Sequence, residues 1–187
     1  MNYPLLILCA VGTVGAVDVL YYHLYRFRLF TQAGSVGEEI THLCRHVIFL
    51  ALLVLLSTGG ASETADAAIL ALFAIDMVNS ITDVLLERGS RQRLGGLPSG
   101  EYLVHVLSSF GIGVGLASYV FLRHSAPLPA PVGLMAWQVY GMLVVGSVIF
   151  TVEAALFGSA LARRRATTRE RSGAVSCASP RRQRVPV

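Results

Sequence analysis

Glu39, His42 and His46 stand at i, i+3 and i+7 of an apolar stretch that reads as one helix. Residues spaced this way share a helix face. Imidazole nitrogens and carboxylate oxygens grouped on one face are ligands for iron, zinc or manganese. Glu101 and His105 repeat the pairing at i and i+4, and Asp83 follows Asp76 and Asn79 or Ser80 along a polar stripe. Asp18 and Glu153 are the only carboxylates in their own apolar stretches. Ionisable groups inside membrane-type helices are costly and mark functional sites by default. The expected ligand set is therefore Glu39, His42, His46, Asp83, Glu101 and His105. Asp18 or Glu153 completes the shell or serves as catalytic acid or base.

Glu39-x-x-His42 resembles the spacing on helices of di-iron carboxylate bundles. Those bundles carry the motif twice, whereas the second pair here, Glu101 and His105, is one residue longer. Desaturase-type membrane sites use many more histidines than the five present. One or two ions of iron or zinc are the expected cofactor. Haem b is the alternative, with His46 and His105 as axial ligands. Zinc would activate water for hydrolysis, and iron would bring oxygen chemistry. His23, among Tyr21, Tyr22 and Tyr25, reads as part of an interfacial aromatic belt. Glu87 reads as a solvated helix end, and His124 falls in a loop on the opposite side.

These residues need helices to carry them. The chain has 187 residues, of which 54% are hydrophobic and 14% charged, with a mean hydropathy of +0.62. Soluble domains carry about 25% charged residues, so the composition predicts an all-α integral membrane protein. Five spans are expected, at about 3–25, 38–56, 67–87, 100–122 and 132–161. The N-terminal stretch lacks a positive leader and is expected to remain as the first helix. Residues 162–187 are Arg-rich and expected to be a disordered cytoplasmic tail. Ser99 is a candidate cap for the fourth helix. Gly111, Gly113 and Gly115 predict close helix packing there. The three cysteines form no CxxC pair, so neither a disulfide framework nor a Cys-based zinc site is indicated.

Arginine sets the expected orientation. Arg26 and Arg28, then Arg88, Arg91 and Arg93, then Arg163, Arg164 and Arg165 fall on one side of five crossings, and only Arg123 on the other. The positive-inside rule puts the N-terminus outside and the C-terminus in the cytoplasm. All 15 basic residues are Arg, which with the composition suggests a bacterial inner membrane. On a rise of about 1.5 Å per residue, His42, Asp83 and His105 lie at about 6 to 9 Å below the cytoplasmic face, and Asp18, His46 and Glu153 at about 10 to 14 Å. Asp76 lies deepest and isolated. Polar residues from all five helices thus converge in one leaflet. The expected function is a metalloprotein, dinuclear in its fullest form, acting on a lipid or other hydrophobic substrate. A small proton- or cation-coupled transporter and a haem-binding or structural subunit are the alternatives. Membrane lipids and a second copy or partner subunit are the expected partners; the positive charge reads as topology and not as nucleic-acid binding.

Overall fold

The computed structural model describes residues 2–58, 62–123 and 128–177. Five long helices and no strand occur among them. α1 (Tyr3–Val17) runs directly into a π-helical segment, Asp18–Arg26. α2 is Val36–Ser57, α3 is Glu63–Arg91, α4 is Ser99–Arg123 and α5 is Leu134–Cys177. Each of the five is long and apolar enough to cross a membrane. His124 and residues 178–187 of the tail lie outside the described residues.

Three helices differ in extent from the sequence expectation, each for a local reason. α3 is longer at both ends. Ser62 Oγ accepts from Ala65 N at 3.2 Å, and Glu63 and Asp66 sit in the first turn, where the helix dipole favours acids. At the far end Gly89 does not break the helix, because Ser90 and Arg91 are buried and both bond Glu38 of α2. α4 begins at Ser99, so this serine is the first helical residue and not the cap; the Pro98 carbonyl accepts the first helical bond, from Tyr102 N. α5 continues past Leu161 to Cys177, where an irregular tail was expected. Alanine and arginine there are strong helix formers.

α1 is the central packing element, lying against α4, α5 and α2, while α2 also packs on α3 and α5. Gly111 lets α4 close on α1, since a Cβ there would run into Val11; Gly113 meets nothing within 4 Å. The expected close packing thus holds at Gly111 and at Gly115, where a Cβ would touch Ile7 at 3.7 Å, and not at Gly113.

The bundle has two unlike halves. Leu5, Leu8, Leu52, Leu53, Leu56, Ile69, Phe73 and Tyr119 form an apolar core in one half. That half is tied by Asn2, which donates to the carbonyls of Leu56 and Pro129, and by Asp66, which accepts from Tyr119 and Arg123. The other half is filled with buried acids and histidines. The outside is the reverse: Val78, Leu85, Phe110, Phe121, Trp137 and Tyr140 are all more than half exposed. Contiguous apolar exposure on this scale is not tolerated on a water-facing surface.

Candidate metal centre

The centre starts where α1 changes its winding. Phe27 N donates to Tyr22 O at 2.9 Å, the five-residue spacing of a π-helix. In an α-helix, at about 100° per residue, His23 would point about 140° away from Asp18. The wider π turn brings both side chains to the interior. Asp18 Oδ2 lies 2.8 Å from His105 Nε2 and 3.9 Å from His23 Nε2. His23 Nε2 is 3.6 Å from Glu101 Oε1, and its ring centroid is 4.0 Å from that of His42. Glu101 and His105, one turn apart on α4, therefore face the π segment together. Gly100 permits this approach, because a Cβ there would strike the Tyr22 hydroxyl.

The first turns of α2 supply three more donors. Glu38 faces α3, where Ser90 donates to it and Arg91 Nη2 lies 2.8 Å away. Arg91 also donates to Glu101. Glu39, at the next position around the helix, faces His23 and Glu153. His42 Nε2 is 3.3 Å from Asp83 Oδ2, and Thr41 donates to the other oxygen of Asp83 at 2.6 Å. Arg45 lies 3.7 Å from Asp83 and 3.6 Å from Asp76, and donates to Ser80 at 2.6 Å. Asp76, expected to be isolated, thus has a guanidinium partner. On α5, Glu153 Oε2 is 3.0 Å from His46 Nδ1. His105 Nδ1 completes the set, 3.2 Å from Glu87 Oε1.

Four groups bring ligand atoms within 4.8 Å of one another: His23, His42 and His105; Asp18, His23, Glu101 and His105; His23, Glu39 and Glu153; and Glu38, Glu87 and Glu101. Donors on one ion stand about 2.0–2.2 Å from it, so about 3 to 4 Å from each other. The separations of 2.8, 3.6 and 3.9 Å around Asp18, His23, Glu101 and His105 fall near that range. Both oxygens of Glu39 and of Glu153, Asp18 Oδ1 and both His23 nitrogens are buried without a hydrogen-bond partner.

Charge makes the same point. Asp18, Glu38, Glu39, Asp76, Asp83, Glu87, Glu101 and Glu153 are all buried, against the guanidiniums of Arg45 and Arg91. Fully ionised, these eight acids exceed the two arginines by six charges. Each uncompensated buried charge costs several kcal/mol, roughly, after relaxation. The His23 and His42 rings are 4.0 Å apart, so positive charge on both at once would be repulsive.

No protein-family model, curated protein or solved structure matches this chain.

Of the residues singled out from sequence, Glu39, His42, Glu101 and His105 lie in these groups, and so do Asp18 and Glu153. Asp83 and His46 stand one step out, Asp83 against His42 and Arg45, His46 against Glu153. Three readings are corrected. His23 is not in an interfacial belt; it is 0% exposed and belongs to three of the four groups. Glu87 is not a solvated helix end, because α3 continues for a further turn beyond it. Arg91 is not a loop charge; it is 1% exposed and bridges Glu38 and Glu101. Glu38 was missed altogether. Only its place beside Glu39 in a first helical turn could have signalled it.

A cavity of about 90 Å³ adjoins the centre. Asp18, His42, Arg45, His46, Asp76, His105 and Ser108 border it together with apolar side chains of α1, α2, α4 and α5.

Proposed function

We propose that this chain is a multi-pass membrane protein carrying a His/carboxylate metal centre, dinuclear when filled, that acts on a hydrophobic substrate. The orientation we infer is N-terminus out and C-terminus cytoplasmic, in a bacterial inner membrane. The Arg distribution supports it, even with Arg91 withdrawn from the count. The observation that carries the metal reading is the convergence of His23, His42 and His105 with buried carboxylates, of which Glu39 and Glu153 have no hydrogen-bond partner on either oxygen. One ion is held by Asp18, Glu101 and His105 with His23, and His42 lies within ligand range of the two histidines. A second is held by Glu39 and Glu153, with His46 beside them. Asp83 orients His42, and Glu87 orients His105, as carboxylates beyond the ligands commonly do. Iron or zinc suits this mixed nitrogen and oxygen donor set. The chemistry is oxidation if the metal is iron and hydrolysis if it is zinc.

Haem is the less favoured cofactor, since both ring nitrogens of His105 face carboxylates at 2.8 and 3.2 Å. Transport has one observation behind it, the line of Asp76, Arg45, Asp83 and His42 leading from the cavity. Titration of chelator-stripped, detergent-purified protein with cobalt(II) tests the ligation. Visible d–d absorption should saturate at one or two equivalents and change in energy in His105→Ala. Absorption no different from free cobalt(II) would refute the metal reading, and loss of flux in Asp76→Asn would then favour transport.

A further inference from the structure

Of the four histidines in the polar half, one differs from the rest. His46 Nδ1 lies 3.0 Å from Glu153, His42 Nε2 lies 3.3 Å from Asp83, and His105 stands between Asp18 at 2.8 Å and Glu87 at 3.2 Å. A histidine that binds one ion commonly has its other nitrogen held by a carboxylate or carbonyl in this way. His23 is not held. It is 0% exposed, neither of its nitrogens makes a hydrogen bond, and its nearest carboxylate among the described residues is 3.6 Å away.

Its placement differs too. His23 belongs to two separate carboxylate sets, one with Asp18, Glu101 and His105 and the other with Glu39 and Glu153. The first set comes from the π segment and α4, the second from α2 and α5. Nε2 is the nitrogen that faces Asp18 and Glu101, at 3.9 and 3.6 Å, which leaves Nδ1 for Glu39 and Glu153. Without His23 the second set is two carboxylates. With it there are three donors, the number that catalytic zinc sites use while keeping one position open.

We propose that His23 bridges the two ions as an imidazolate, with Nε2 on the first and Nδ1 on the second. A neutral imidazole has one N–H and one lone pair on its ring nitrogens, so it serves a single ion. When the second ion binds, its bond to Nδ1 forms as the N–H bond breaks, and the proton leaves to solvent. One proton is released per bridge, and nothing is oxidised or reduced. The ions then stand about 6 Å apart, two metal–nitrogen bonds of about 2.0–2.1 Å plus the width of the ring. The bridge rests on the metal reading above, but it can fail while that reading holds.

Electron paramagnetic resonance of the full-length, detergent-purified protein loaded with copper(II) tests this, copper being the divalent ion that such donors hold most tightly. Copper content is measured on the same samples. With two ions bound per chain, the wild type should show a half-field transition and, at liquid-helium temperature, well under two spins per chain. The relative intensity of that transition should give a spacing of about 6 Å, against about 3.5–4 Å for ordinary two-metal sites. His23→Ala should lose the transition, and any copper it retains under excess should give the spectrum of isolated ions. Should His23→Ala fail to fold, the spacing in the wild type decides alone. One ion per chain, two ions with a full two-spin signal, a spacing under about 4 Å, or a transition that survives in folded His23→Ala overturns the bridge and leaves the metal reading standing. Wild type that binds no copper overturns both.

Discussion

At the scale of single residues, the centre depends on acids being compensated. Arg91 is the clearest case, buried between Glu38 and Glu101 on two other helices. Removing one partner of a buried pair leaves charge behind, at a cost of about 3–5 kcal/mol. Arg91→Met should therefore lower the thermal midpoint sharply, and Arg91→Met with Glu38→Gln should recover part of the loss. A double variant no better than the single would show that Arg91 acts through packing and not through charge. His42 and Glu39 were legible from spacing, because α2 is a regular helix over both. His23 was not, because its position depends on a change of winding that i, i+3, i+4 spacing does not encode.

At the scale of elements, that change of winding is the device that builds the site. A π segment of Asp18–Arg26 turns two residues five apart to one side. Inserting one alanine after Leu20 should put Asp18 and His23 six positions apart, about 120° from one another on an α-helix. The expected result is loss of most bound metal with far-UV circular dichroism unchanged. Retained metal would show that His23 is dispensable. The ends of α3 and α4 teach a related lesson. Glu87 and Arg91 look like solvated termini when α3 is stopped at residue 87, and become interior groups once it runs to Arg91. What decides that ending is burial against α2, which no property of residues 88–91 alone reveals.

At the scale of the whole molecule, the five-helix plan was legible because it rests on long apolar runs and short polar breaks. The convergence of polar residues in one half was legible too, since it needs only alternating helix direction. Which acids touch which histidines was not, since that depends on helix rotation and contact order. The inferred orientation is open to test with single cysteines in a background without Cys9, Cys44 and Cys177. In intact spheroplasts a membrane-impermeant maleimide should label Ser62→Cys and spare Gln92→Cys, with the pattern reversed in inverted vesicles. The opposite pattern would place the centre in the outer leaflet.

The most direct measurement is metal per chain, by plasma mass spectrometry on detergent-purified protein prepared without chelator and supplied with iron and zinc. His23→Ala and His105→Ala run beside the wild type, with Leu53→Ala in the apolar half as a destabilised control. One or two transition-metal ions per chain in the wild type and in Leu53→Ala, and none bound tightly in either histidine variant, is the predicted result. No metal in the wild type, or equal metal in all four proteins, would contradict the account.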